Sequence, residues 1–142
     1  MTITFKRGAA VLGALLLGLI LAATVHQHAG AAEDTKAAAD VEYLWSLEGD
    51  EQSVAAGQQV PVRLKVVAVD KDLKPVQGAS VTFSTPGPGL KFPGDKDDAT
   101  VVTDENGEAL APDLRAAGEP GPDLVTASVP SDVHTAFEIT IT

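Results

Sequence analysis

Four aspartates have the type and spacing that could bind a metal ion. Asp95, Asp97 and Asp98 crowd one predicted loop, and Asp104 lies in the next. Calcium prefers six to eight oxygen ligands, several of them carboxylates, and the high calcium level outside cells suits weak loop sites. Aspartate is also an ordinary turn-former between strands, and the chain has no twelve-residue EF-hand pattern. These residues are weak calcium candidates, and we expect no other cofactor.

Histidine could supply either a metal ligand or a general base. His26 and His28 stand two residues apart, but no carboxylate or third ligand lies near them in the sequence. His134 precedes the last predicted strand. Catalysis needs a nucleophile or an acid–base pair held by a third group, and one histidine makes no such arrangement. The sequence therefore predicts a protein that is not an enzyme.

The few aromatic residues are the remaining candidates for binding. Tyr43, Trp45 and Phe92 could line a face that contacts a sugar or a protein, because exposed aromatic side chains often anchor recognition. A small domain also needs large side chains in its core, which favours their burial. Phe83 and Phe137 are core residues by alternation. Trp45 is the candidate interaction anchor.

Composition limits what these residues can belong to. The chain has 142 residues, one domain's worth, and no cysteine, so neither a disulfide framework nor a cysteine-based zinc site is possible. The formal net charge is −10, and it becomes −12 without Lys6 and Arg7. Because nucleic-acid binding needs clustered Lys and Arg, this charge argues against nucleic acid as a partner.

The first residues have the pattern of a secretory signal peptide. Lys6 and Arg7 precede an apolar run from Gly8 to Val25, and Ala29-Gly30-Ala31 offers small residues for cleavage. We predict a signal helix, residues 1–31, removed after Ala31, and a flexible linker, residues 32–40. The alternative is an uncleaved anchor, since 18 residues of helix span about 27 Å against a hydrocarbon core of roughly 30 Å. Both place the remainder outside the cytoplasm, secreted or at the cell surface, and cleavage would leave no membrane contact.

Residues 41–142 have short alternating apolar runs separated by Gly, Pro, Asp and Asn, which predicts an all-β domain. The expected strands are Tyr43–Leu47, Ser53–Val60, Val62–Asp70, Ala79–Ser84, Thr100–Thr103, Glu108–Leu114, Leu124–Val129 and His134–Thr142. In the clearest one, Val62, Leu64, Val66 and Ala68 share a face. Leu90 and Phe92, in the long loop from Pro86 to Asp98, are expected to reach the core. Short strands at this spacing predict an antiparallel, two-sheet β-sandwich.

The ordered segments GDEQSVAAGQQVP, LKVVAVDKDLKPVQGASVTF, TDENGEALAP, VTASV and AFEITIT resemble the bacterial immunoglobulin-like domains of the invasin and intimin type. The resemblance covers nearly all of residues 41–142, here in a single copy. It implies an immunoglobulin-like sandwich of about seven strands that acts as a structural or adhesive module in bacteria. Leu73 stands where such domains usually carry a turn glycine.

The segment PVQGASV followed by TDENG is also similar to the transthyretin-like modules attached to carboxypeptidases. Those usually end soon after the second turn, so VTASV and AFEITIT favour the immunoglobulin-like resemblance. Two functions follow as expectations. The first is an exported module that contacts a protein or a component of the cell envelope. The alternative is a secreted small-ligand or glycan-binding domain on the same fold, using the loop from Pro86 to Asp98.

Overall fold

The computed structural model describes residues 40–142. The predicted signal peptide, with His26 and His28, and residues 32–39 of the predicted linker lie outside this range. Within it, no helix is long and apolar enough to cross a bilayer. The described chain forms ten strands, β1 Tyr43–Glu48, β2 Gln52–Val54, β3 Lys65–Val69, β4 Ser80–Ser84, β5 Leu90–Lys91, β6 Asp98–Val102, β7 Glu108–Leu110, β8 Arg115–Ala116, β9 Gly121–Ser128 and β10 His134–Ile141.

The strands form an immunoglobulin-like sandwich of two main sheets. One sheet has five strands in the order β2-β10-β9-β4-β6, and the other has three in the order β1-β3-β7. The short strands β5 and β8 pair separately. The prediction of an all-β immunoglobulin-like sandwich is confirmed.

The five-stranded sheet is built around one long hairpin. β9 and β10 pair antiparallel from Gly121 opposite Ile141 to Ser128 opposite His134. β2 pairs parallel to the end of β10, with Gln52 opposite Ile139. The other sheet edge is β6, which pairs with β4 through all five of its residues. This sheet therefore has one long central ladder and short strands at its margins.

The core lies between the inner faces of the two sheets. Alternate side chains of β3, β4, β9 and β10 are fully buried there, namely Val66, Ala68, Val81, Phe83, Val125, Ala127, Phe137 and Ile139. Period-two alternation puts every second side chain of a strand on one face, so these strands share one apolar layer. Leu90 and Phe92 are also buried, as predicted. The chain has no cysteine, so apolar burial and strand pairing hold these layers together.

Three predicted strands are shorter in the structure. Of Glu108–Leu114 only Glu108–Leu110 is a strand, and Val62–Asp70 begins late. Val62 is 46% exposed, whereas Leu64, Val66 and Ala68 are buried. The strand begins only at Lys65. The side-chain amide of Gln52 binds both the N–H and the carbonyl of Val62, so these two backbone groups are not used in strand pairing. Its Nε2 donates to the Val62 carbonyl at 2.7 Å, and its Oε1 accepts from the Val62 N–H at 3.0 Å.

The predicted strand Ser53–Val60 is also shorter in the structure. Only Gln52–Val54 is a strand, and a turn follows it, in which the N–H of Gln58 donates to the carbonyl of Ala55. Gly57 there has φ +84°, in the left-handed region that glycine enters at least cost. The turn carries the chain from the five-stranded sheet back toward the three-stranded one.

The turn at Asp104–Gly107 is confirmed, but it does not close a hairpin. β6 before it belongs to the five-stranded sheet, and β7 after it belongs to the three-stranded sheet. Gly107 in this turn has φ +75°. This turn therefore connects the two layers of the sandwich.

Candidate interaction face and the other predicted sites

The outer face of the three-stranded sheet carries a group of exposed large apolar side chains, which we call the aromatic face. Directly paired residues of adjacent strands share a face. Trp45 lies opposite Val67, and Leu110 lies opposite Lys65. Tyr43 and Leu47 complete the group, and β1 is kinked by a register shift between Ser46 and Glu48. Tyr43, Trp45, Leu47 and Leu110 are all exposed.

Trp45 points into solvent rather than into the core. Its side chain is 46% exposed, and its ring stacks on that of Tyr43 with centroids 5.7 Å apart and planes 17° apart. The neighbouring Leu44 takes the inward position and is buried. The expectation that core demand would bury Trp45 and Tyr43 is therefore wrong for both, whereas it is right for Phe92. The alternation of Tyr43, Trp45 and Leu47 was the sequence signal that these side chains share one face.

Acidic side chains surround the aromatic face. Lys65 Nζ lies 3.7 Å from both Glu48 Oε2 and Glu108 Oε1, so two carboxylates flank this one cation. At the other end, the N–H of Glu42 donates to the carbonyl of Val69 at 2.9 Å. Val69 is also the partner of Tyr43, so this bond holds the backbone of Glu42 against the end of β3, beside Tyr43.

A groove of about 590 Å³ begins where the aromatic face ends. It is lined by Asp40, Glu42, Asp70, Lys71, Pro75, Val76 and Gln77. Hydrogen bonds from the backbone N–H of Lys74, and also of Asp72, hold the pKa of Asp70 below its usual value. Asp70 is therefore negatively charged at neutral pH. Three acidic side chains and one lysine line the groove, so its lining carries a net negative charge.

The outer face of the five-stranded sheet has a different chemistry. Its β4 and β6 positions are largely hydroxylated: Thr82 and Thr100, paired across the strands, join their Oγ1 atoms at 3.0 Å, and Ser80 and Ser84 flank Thr82. Two large apolar residues are exposed on this sheet, Leu124 opposite Glu138 and Val102 opposite Ser80. The apolar and aromatic side chains thus concentrate on the outer face of the other sheet.

The four calcium candidates each have a separate structural environment. Arg115 Nη2 lies 3.0 Å from Asp95 Oδ1, and Lys91 forms an ion pair with Asp97. Asp98 opens the edge strand β6. Asp104 Oδ1 accepts the N–H groups of two residues in its own turn, at 2.8 and 3.0 Å. Among residues 40–142, no three His, Asp or Glu side chains come together as a metal-binding group. Calcium binding here stays a prediction.

His134 is exposed at the start of β10. Its Nδ1 lies 3.1 Å from the carbonyl oxygen of Asp132, which suits an Nδ1–H donor. This contact closes the turn before the strand, the location that the sequence predicted. It supplies the histidine with a backbone partner rather than with a nucleophile.

A second concave surface lies beside the loop from Pro86 to Asp98. Phe92, Lys91 and Arg115 contribute to its lining, and its volume is about 260 Å³. Phe92 itself is buried, so the ring forms the floor. The two cations are already paired with Asp97 and Asp95.

No protein-family model matches the chain, and no curated protein matches it. The chain is similar to the C-terminal 282-residue fragment of intimin, solved in complex with the intimin-binding domain of the translocated intimin receptor. The identity is 27%, the TM-score is 0.48, and the match covers 71% of this chain and 32% of that fragment. The chain thus spans about a third of the fragment.

Proposed function

We propose that this chain is an exported immunoglobulin-like module that binds a protein at or outside the bacterial cell envelope through its aromatic face. The observation that supports this is the exposure of Tyr43, Trp45, Leu47 and Leu110 on one sheet face. Contiguous exposed apolar patches on soluble proteins commonly mark interaction sites, and Trp and Tyr are frequent anchors of interfaces.

The free edge of β1 adds to the same surface. Among residues 40–142, β1 is paired with β3 alone, so backbone groups along its other side are available to a partner.

A pull-down from the envelope and medium of the producing cell tests the function. The wild-type protein is compared with Tyr43→Ser/Trp45→Ser and with Leu124→Ser as the matched control. Leu124 is 43% exposed on the other sheet. We expect one protein to be retained by the wild type and by Leu124→Ser and to be lost with the double variant, as measured by quantitative mass spectrometry. Equal retention by all three would refute a role for the aromatic face. Parallel samples with and without calcium test the four aspartates.

The cavity beside Phe92 supports a second candidate, binding of a small ligand or glycan. Its volume of about 260 Å³ lies near the lower end for ligand pockets. Glycan-array binding that is abolished by Arg115→Gln and unchanged by Trp45→Ser would assign the function to this cavity instead.

A further inference from the structure

The charges around the aromatic face restrict what can cover it. Glu42, Glu48 and Glu108 stand at its margins, and Lys65 is shared between two of them at 3.7 Å. The acidic groove lined by Asp40, Glu42 and Asp70 begins at the end of the face where Glu42 lies. The partner surface must therefore offer positive charge beside an apolar centre, because complementary charge favours association and like charge opposes it.

A second copy of this chain does not meet that requirement. In a two-fold symmetric contact the same surface meets itself. Antiparallel pairing of two β1 strands about Trp45 would set Glu42 near Glu48 of the other copy, twice. Like charges opposite one another across strands are destabilising, and the chain's formal net charge of −10 adds repulsion.

We propose that the aromatic face and the adjoining acidic groove bind an extended segment of a partner protein that carries apolar side chains on one face and a Lys or Arg two or three residues beyond them. This inference rests on the proposed function and specifies its partner. The apolar side chains lie on Tyr43, Trp45 and Leu47. A cationic side chain enters the groove between Asp40, Glu42 and Asp70, where carboxylates and the neighbouring aromatic rings both attract it.

The groove begins at residues that adjoin the Tyr43 end of the aromatic face, so one extended segment is long enough to reach both. Tyr43 is paired with Val69, and the next residues outward, Glu42 and Asp70, both line the groove. Consecutive positions in an extended segment are about 3.3 Å apart. A cation two or three residues from an apolar anchor therefore reaches the carboxylates.

Selection from a random dodecapeptide display library on the immobilised full chain tests the proposal. We expect selected peptides to be enriched in Lys or Arg two or three residues from apolar residues. Affinities of the synthesised peptides are then measured for Glu42→Lys and for Glu119→Lys, which has the same charge change in an exposed loop away from the face. Glu42→Lys is expected to weaken binding by about tenfold or more, equivalent to about 1.4 kcal/mol, and Glu119→Lys to change it little. Raising the salt concentration should weaken binding to the wild type.

The outcomes separate this inference from the proposed function. Neutral or acidic peptides that still require Trp45 would overturn the basic partner and leave the aromatic face as the binding surface. Peptides that bind Tyr43→Ser/Trp45→Ser as well as the wild type would contradict both. Failure to select any peptide would overturn the proposal that the partner is a linear basic segment. A dimer in sedimentation experiments that Trp45→Ser dissociates would identify a second copy as the occupant and overturn the inference. Circular dichroism of every variant checks that the fold is kept.

Discussion

The hydroxyl of Thr103 adds two hydrogen bonds at the place where the β4–β6 ladder begins. It is buried, its Oγ1 accepts the N–H of Ala79 at 2.9 Å, and it donates to the carbonyl of Val76 at 2.7 Å. The N–H of Thr103 also donates to the Ala79 carbonyl. One side chain thus satisfies a buried donor and an acceptor ahead of β4, and it fixes where that strand begins.

Replacement of Thr103 by Val keeps the shape and removes both hydrogen bonds. We expect Thr103→Val to lower the free energy of unfolding by about 1–3 kcal/mol, because two backbone groups lose their partners in a buried place. Thr140→Val on the exposed face of β10 is the control and should stay within about 0.5 kcal/mol of the wild type. Urea denaturation followed by circular dichroism measures both. Equal effects of the two substitutions would contradict the role of the Thr103 hydroxyl.

Asp70 is the described residue with a resolved change in acidity. Its Oδ1 accepts the N–H of Asp72 at 2.8 Å and of Lys74 at 3.0 Å. Hydrogen bonds to a carboxylate favour its charged form, and that of Lys74 is the main cause of the lowered pKa. The pKa of Asp70 is lower in the folded protein than its ordinary value of 3.8. Its contribution to stability is therefore present above that value and is lost as the pH falls through the lower, folded value.

Asp70→Asn should consequently be less stable than the wild type at neutral pH, and the difference should shrink as the pH falls below 3.8. The exposed Asp72→Asn in the same turn serves as the matched control. Urea denaturation from neutral to acidic pH gives the difference at each pH. If the stability difference between Asp70→Asn and wild type were constant over this range, the carboxylate hydrogen bonds would not be its source.

Three five-residue turns of the sandwich share one backbone geometry. In each, the first N–H donates to the fifth carbonyl, and the fourth N–H donates to the first carbonyl, at 2.9–3.0 Å. The turns begin at Asp70, Asp104 and Val129. Their fourth residues, Leu73, Gly107 and Asp132, have φ of 63°, 75° and 72°. A type I turn followed by a left-handed residue is a common form for such connections.

Leu73 is therefore a leucine in a position that suits glycine, and it is 59% exposed. The left-handed conformation costs an L-residue about 1–2 kcal/mol. Glycine avoids this cost, but its greater conformational freedom in the unfolded chain costs about 0.5–1 kcal/mol on folding. We expect Leu73→Gly to stabilise the fold by up to about 1 kcal/mol on these figures. Thermal denaturation measures the shift in Tm.

Two other turn positions provide the controls. Asp132→Gly should stabilise the fold less than Leu73→Gly, because Asp tolerates the left-handed conformation better than Leu does. Gly107→Ala should be destabilising, since its Cβ would lie 2.6 Å from the carbonyl oxygen of Ala68 as well as at φ +75°. A loss of stability with Leu73→Gly would show that the Leu73 side chain contributes packing that outweighs the strain.

The whole molecule presents two chemically different outer faces. The aromatic face carries Tyr43, Trp45, Leu47 and Leu110, whereas Ser and Thr predominate on the β4–β6 part of the other sheet, beside the exposed Val102 and Asp98. Folding buries the inner faces and leaves this contrast at the surface. The formal charge of −10 favours solubility despite the exposed aromatic side chains.

The emission of Trp45 reports directly on this arrangement, because it is the only tryptophan of the chain. We expect the native protein to show red-shifted emission that acrylamide quenches almost as well as it does in urea. Binding of the protein partner should shift the emission to the blue and protect it from quenching. Blue-shifted, protected emission from the isolated protein would mean that Trp45 is already covered.

The amino-acid sequence by itself determined the sandwich, because period-two burial is local. Val81 and Phe83, or Ile139 and Ile141, must share a face in any strand, and Gly107 marks its turn without reference to the rest of the chain. Sequence alone could not decide where Val62 and Trp45 lie. Val62 is held outside by Gln52, ten residues away, and both faces of β1 are apolar, with Leu44 on one and Trp45 on the other. Only packing against the opposite sheet selects the buried face, so the location of the aromatic face and its acidic border required the tertiary structure.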